Sequence, residues 1–315
     1  MIGIHKLMLT SAFVVSMSGW GGIPAVAAPS AVATREQCTG IAPGRVDSLA
    51  EAARNITCSM RDRRLLIVGE VHGGEETPRL VLDIVRAASA ERPVRLALEI
   101  PVQERTALTR FLHSGGTPSD QALLLQGRFW GGQDGRSSRA MLHLIDSIRT
   151  LVATGADVDI FPTEQYGGAA SIAELGGPLA AKEAGMAKSM EQIIDQSTPA
   201  TLVVALMGNL HARYGKTFIP LDIPTPSVSE QLGKFAPLVV LPFARRSNNW
   251  NCTNAGCGLH PSTSTNAPPG RLPQFVVDDS PASSLKAVEL WLPNMVGSPP
   301  AQASAARGKA AAPKH

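Results

Sequence analysis

Apolar residues along this chain fall into two patterns. In three places they run on without a polar interruption and then meet chemically capable residues: 65–68 lead into Gly69-Glu70-Val71-His72, 96–98 into Glu99-Ile100-Pro101, and 202–207 into Gly208-Asn209-Leu210-His211. Short runs of this kind, partly β-branched and bounded by Gly or Pro, predict strands buried on both faces of a parallel sheet. Elsewhere apolar positions return at helical spacing. Leu80, Val81, Ile84 and Val85 follow Thr77-Pro78 on one face, with Pro suited to the first turn. Met141, Leu144, Ile145 and Ile148 mark a longer helix that opens near Ser137 and stops at Gly155.

The same reading places further helices over about 102–113, 119–126 and 177–195, and strands over 94–100, 158–161 and 201–207. Apolar runs at 237–243 and 273–277 predict two more strands, antiparallel and flanking a cysteine-bearing loop. Strands separated by amphipathic helices imply crossover connections. The expected fold class is therefore α/β, a mostly parallel sheet flanked by helices, with the site at the C-terminal ends of the strands. No repeat of solenoid period occurs.

The two ends of the chain differ from its body. His5 and Lys6, an apolar stretch from Leu7 to Val15 and the exit Ala25-Val26-Ala27-Ala28 read as a secretory signal peptide over 1–28, too short for a membrane span. The first cysteine, Cys38, lies well past that exit, so a lipoprotein anchor is not expected. Residues 29–60 read as a lead-in, 61–296 as a single α/β domain, and 297–315, small, polar and Pro-bearing, as a disordered tail. The four cysteines fall into two near pairs, Cys38 with Cys58 and Cys252 with Cys257, read as disulfides of an oxidising compartment, with zinc as the rival reading. Formal charge is +3 and drops to −1 without Lys6, Arg307, Lys309 and Lys314, which leaves no basic footprint for nucleic acid. The expected partner is a small-molecule or peptide substrate, in a periplasmic or secreted location.

Chemistry concentrates at the strand exits. Glu70 and His72 stand two apart, so a carboxylate orients an imidazole and raises its basicity toward water, or the pair holds a divalent cation. Glu99 and His211 occupy equivalent exits, and Asn209 lies in the turn between Gly208 and His211, placed to cap or to ligate. Glu76 sits at a helix N-terminus, where the macrodipole favours its charge, and Glu75 beside it reads as a cap. Arg136, in the Gly-rich segment 129–138, is placed either to hold a carboxylate or oxyanion or to belong to a plain turn. No G-x-S-x-G elbow, G-x-G-x-x-G turn or Walker A loop is present, which removes serine-hydrolase, dinucleotide and nucleotide-triphosphate readings.

Gly69-Glu70-Val71-His72, the strand-borne Glu99 and Gly208-Asn209-Leu210-His211-Ala212 resemble, in order and spacing, the motifs of the superfamily that joins Tiki metalloproteases, TraB-like proteins, erythromycin esterases and ChaN-like haem-binding proteins. The resemblance covers roughly residues 60–245 and implies that His72 and His211 are the motif histidines and Glu70 and Glu99 the paired acids. Its members divide. Tiki-type proteins share the G-x-x-H spacing and are metal-dependent peptidases, which implies a divalent metal on Glu70, His72, Glu99 and His211. Erythromycin esterases place the acid and His one position further apart and use a His-activated water. ChaN-like proteins bind haem. The expectation is an exported hydrolase acting on an ester or peptide bond through Glu/His-activated water, with or without metal; the alternative is a periplasmic haem- or metal-binding protein without turnover.

Overall fold

The computed structural model describes residues 40–214, 223–254, 256–277 and 286–302. Their strands are β1 (Gly44–Arg45), β2 (Leu65–Glu70), β3 (Val94–Pro101), β4 (Val158–Glu164), β5 (Leu202–Gly208), β6 (Leu238–Thr253), β7 (Gly256–Thr263), β8 (Gln274–Val277) and β9 (Lys286–Met295). They form one sheet in the order β1-β8-β9-β6-β2-β5-β3-β4, with β7 attached to β6. The run β9-β6-β2-β5-β3-β4 is parallel throughout. Only β1, β8 and β7 pair antiparallel. The α/β fold is thus a mostly parallel sheet flanked by helices.

Uninterrupted apolar runs form these strands because both faces are covered. Leu66 and Val68 of β2, with Val204 and Leu206 of β5, enter a core beneath the helices Leu49–Ser59, Glu76–Ser89 and Arg139–Ala153. Their neighbours Leu65, Ile67, Val203, Ala205 and Met207 enter a second core against the helix Pro178–Asp195. A side chain of either parity is therefore apolar, and no alternation survives in the sequence. Helix starts follow local chemistry: Ser138 accepts from Met141 N ahead of Arg139–Ala153, and Thr117 forms a reciprocal capping box with Asp120 ahead of Pro118–Leu125. Glu75 sits at the N-cap of Glu76–Ser89 but makes no side-chain capping bond, contrary to the expected role.

Three differences from the sequence reading concern the periphery. The lead-in is not irregular over its described part: Ser48 caps the helix Leu49–Ser59, whose Ala52, Ala53 and Ile56 are fully buried. The strands at 238–253 and 274–277 are not partners, because β9 lies between β6 and β8. That strand escaped notice because Glu289 interrupts its apolar run. The tail also begins later than expected: Gly297 bridges Gly74, Ser138 bridges Pro300, and Ala301 N donates to Ser137 O. The signal peptide, Cys38 with its pairing to Cys58, and 303–315 lie outside the described residues. The Cys252–Cys257 disulfide is formed, and no described helix is long and apolar enough to cross a membrane.

The far half of β6 continues past the parallel layer and folds back through β7 as a hairpin, with Cys252 opposite Cys257. Trp250 of this hairpin fastens two loops at the sheet edge. Its backbone N donates to Gly73 O and its indole Nε1 to Gln133 O, both at 3.0 Å. Gly135, at φ +91°, lies so close that a Cβ there would fall 2.4 Å from Trp250 O. Gly135→Ala therefore combines left-handed strain with backbone overlap and should cost about 2–4 kcal/mol. Gly131→Ala, in the same segment but facing open space, should stay within about 0.5 kcal/mol. Urea unfolding of the two variants checks this, and equal midpoints would refute the close approach.

Candidate active site

The strand exits converge as the parallel topology requires. β2 and β5 pair in register so that Glu70 stands opposite Gly208, and β3 lies on the other side of β5. Glu70 is 5% exposed, and its Oε1 lies 2.8 Å from His72 Nδ1. This contact leaves Nε2 of His72 toward the interior of the site, 3.7 Å from Glu99 Oε2. Gly208 is what admits the ring, since a Cβ at that position would fall 2.8 Å from His72 Nε2. Its backbone N also donates to Glu99 Oε2 at 2.7 Å.

Glu99 is the hub of the arrangement. Its Oε1 accepts from Lys182 Nζ at 2.7 Å, with His211 Nε2 at 3.5 Å and Arg136 Nη1 at 3.9 Å. Burial alone would raise its pKa, yet His72, His211 and Lys182 hold the carboxyl well below the usual range. A second carboxylate, Glu164 at the end of β4, accepts from Arg136 Nη1 at 2.6 Å and from Tyr166 Oη at 3.0 Å, with Lys182 Nζ 3.6 Å away. Arg136 is anchored on its other side by Asp134 at 2.9 Å.

His211 has a different environment from His72. It lies on the short helix Asn209–Ala212, 5% exposed, with Nδ1 3.1 Å from Glu183 Oε1. That nitrogen is out of line for a directed hydrogen bond but well within ion-pair range. Glu183 is fully buried and also accepts from Arg213 Nη1 at 3.0 Å and from Val228 N at 2.9 Å. Against the effect of burial, Glu183 and Glu99 raise His211 to about 9. His72 is raised above 6.5, by Glu99 and Glu70 acting against burial and Arg136. Its side chain is 24% exposed, more than Glu70, Glu99 or His211.

The structure thus brings Glu70, His72, Glu99, His211 and Arg136 into one cluster. The secondary candidates Glu76 and Asn209 make no hydrogen bond to this cluster. Glu76 accepts from Val296 N through both oxygens, at 3.1 and 3.0 Å, and so serves the end of β9. Asn209 makes no side-chain capping bond; its Oδ1 is buried without a hydrogen-bond partner, packed against Gly69. Four members went unread in the sequence: Lys182, Glu183, Glu164 and Arg213. Glu164 carried a usable signal, a carboxylate at a strand exit, had the strand been followed past Phe161 to its observed end. Lys182-Glu183 carried none, because adjacent opposite charges on a helix read as a solvated face.

The donor set was tested for a metal. No group of three His, Cys, Asp or Glu side chains placed to hold an ion occurs among the described residues. Glu70 is engaged by His72, both oxygens of Glu99 accept from nitrogens, and three cations, Lys182, Arg136 and His211, stand within 4 Å of Glu99. This arrangement does not fit a divalent cation, which needs unspent anionic ligands.

Comparison with known proteins finds no matching family model and no matching curated protein. Two solved structures share the fold. A protein from Bacillus cereus aligns over 82% of this chain and 96% of its own at 11% identity, TM-score 0.51. A succinoglycan biosynthesis protein aligns over 82% and 95% at 8% identity, TM-score 0.50. The type III effector HopBA1 aligns over 82% and 99% at 14% identity with a lower TM-score of 0.40.

The charge on His211 makes the fold's stability depend on pH. A group whose pKa rises from 6.5 to about 9 on folding stabilises the native state fully below its unfolded pKa. That contribution disappears as pH rises through the folded value. The stability difference between wild type and His211→Gln should therefore be larger at pH 6 than at pH 9.5 in urea unfolding. A difference that stays constant would mean that His211 is not held as a cation.

Proposed function

We propose that this chain is an exported hydrolase in which His72 activates a water molecule for attack on an ester or peptide bond, in the manner of the superfamily whose motifs it resembles. The observation that carries the reading is the 2.8 Å contact between Glu70 Oε1 and His72 Nδ1. It fixes the tautomer with the proton on Nδ1, which leaves Nε2 as the base. Glu99 Oε2, 3.7 Å from Nε2, is near enough for one water to touch both.

The roles divide by protonation. A water between His72 Nε2 and Glu99 gives its proton to His72 as it attacks the scissile carbonyl. The developing oxyanion needs fixed positive charge that does not have to reorganise. His211 and Arg136 supply it from around Glu99. Proton return from His72 to the leaving group closes the cycle. The signal-like pattern of residues 1–28 and the Cys252–Cys257 disulfide support an oxidising, extracytoplasmic destination.

His72→Ala should lower kcat/KM on ester or peptide probes at least about 100-fold, the range for loss of a general base. The variant should still unfold cooperatively but at a lower midpoint, because the buried Glu70 and Glu99 each lose a partner. Activity should rise with pH as His72 loses its proton, above its ordinary 6.5, and fall again as His211 deprotonates near 9. An unchanged kcat/KM in the variant would end the proposal. Purification from haem-supplied cells with a stoichiometric Soret band would point instead to haem capture without turnover.

A further inference from the structure

Resting on the reading of this cluster as a water-activating site, we infer that Lys182 is its resident cation: the ammonium wedged between Glu99 and Glu164 takes the place that a divalent ion would otherwise occupy. The geometry is that of a shared counter-ion. Lys182 Nζ lies 2.7 Å from Glu99 Oε1 and 3.6 Å from Glu164 Oε2. Arg136 Nη1 spans the same two carboxylates in the opposite sense, 2.6 Å from Glu164 Oε2 and 3.9 Å from Glu99 Oε1. Two buried carboxylates with two imidazoles close by make a set that transition metals commonly take. Here the carboxylates are already neutralised by two side-chain cations.

The placement is built in rather than incidental. Lys182 belongs to the helix Pro178–Asp195, whose Met186, Met190, Ile193 and Ile194 are buried against the sheet. Its side chain is only 11% exposed. The next residue, Glu183, is fully buried and held by Arg213 and Val228 N, so the helix is fixed in rotation at this point. Withdrawing this lysine to make room for an ion would strip Glu99 and Glu164 of the ammonium they share. Any divalent ion bridging Glu99 to the imidazoles would lie next to a buried ammonium, a repulsion undiminished by water. Lys182 acts through Glu99, keeping it ionised and aimed at His72, and is in that sense a positioning residue.

Metal content and thermal stability test this without reference to any substrate. Wild-type protein purified without chelator should hold fewer than about 0.1 transition-metal ions per chain, and its Tm should be unmoved by about 1 mM MnCl2. Lys182→Met frees Glu99 Oε1 beside His72 and His211, while Arg136 still holds Glu164, so its Tm should rise by several degrees under the same MnCl2. A merely structural lysine would not produce that gain. In activity assays Lys182→Met should lower kcat about 100-fold with KM within about threefold, and Lys182→Arg should recover a tenth or more of the loss. A wild type that retains about one metal per chain, or whose Tm rises with MnCl2 as much as that of Lys182→Met, overturns the assignment. A wild type that is metal-free and indifferent to MnCl2 yet hydrolyses nothing sinks the hydrolase reading and leaves Lys182 as the resident cation. A metal-loaded, active wild type does the reverse.

Discussion

Burial of the Glu99 carboxylate is the constraint around which the rest of this structure is arranged. At 5% exposure an ion left alone there would cost several kcal/mol, and removing one partner of such a pair typically costs about 3–5 kcal/mol. Its compensation is drawn from separate parts of the chain: Gly208 N at the end of β5, Lys182 from a helix, His211 from the turn after β5, and His72 from the loop after β2. Sequence separations of 109 and 83 residues are spanned by two of these contacts. The compensation depends on a strand order that the hydrophobic pattern does not prescribe: β5 lies between β2 and β3, so Glu99 is not on the strand beside β2 but reaches Gly208 and His72 across β5.

Where sequence and structure coincide, one physical signal was strong. Strands β2, β3 and β5 are buried on both faces, so their apolar runs are uninterrupted, and a polar residue ending such a run stands out. That is why Glu70, His72, Glu99 and His211 were legible. Their compensating charges were not. Lys182, Glu183 and Arg213 sit among small or polar neighbours, where the same letters would spell a solvated surface. Only the position of a distant carboxylate turns Lys182 inward. β9 was hidden for a related reason: Glu289, bonded by Trp291 Nε1 at 2.6 Å, breaks its apolar run, and the strand is defined by its parallel partner β6 on one side and antiparallel β8 on the other. The unread parts are those whose meaning depends on long-range contacts.

The loops at the sheet edge face a complementary difficulty, since chain leaving a parallel strand has no ladder to satisfy its backbone. Here the satisfaction is supplied by late segments. Gly73 O, immediately after His72, accepts from both Trp250 N and Ser298 N, at 3.0 and 2.7 Å. The loop that carries Arg136 receives Trp250 Nε1 on Gln133 O. Residues 297–302, which composition alone assigns to a disordered tail, gain their order from this one-sided pairing, with Gly297 against Gly74 and Pro300 against Ser138. Composition describes what a segment can bury by itself. It does not describe what backbone donors elsewhere need from it.

The two histidines show how one residue type takes opposite roles at a shared centre. Both are raised, but His211 lies between two carboxylates and is nearly enclosed, whereas His72 has Arg136 opposing its charge and remains partly open. The imidazole that can exchange protons with solvent is the one placed to act as a base. The enclosed one, fixed by Glu183 and Glu99, is a standing positive charge. Exchanging these environments would reverse the assignment without changing a residue at either position. On the proposed reading, the functional information therefore lies less in the motif histidines themselves than in Glu183, Glu99, Glu70 and Arg136, which set how many protons each histidine holds.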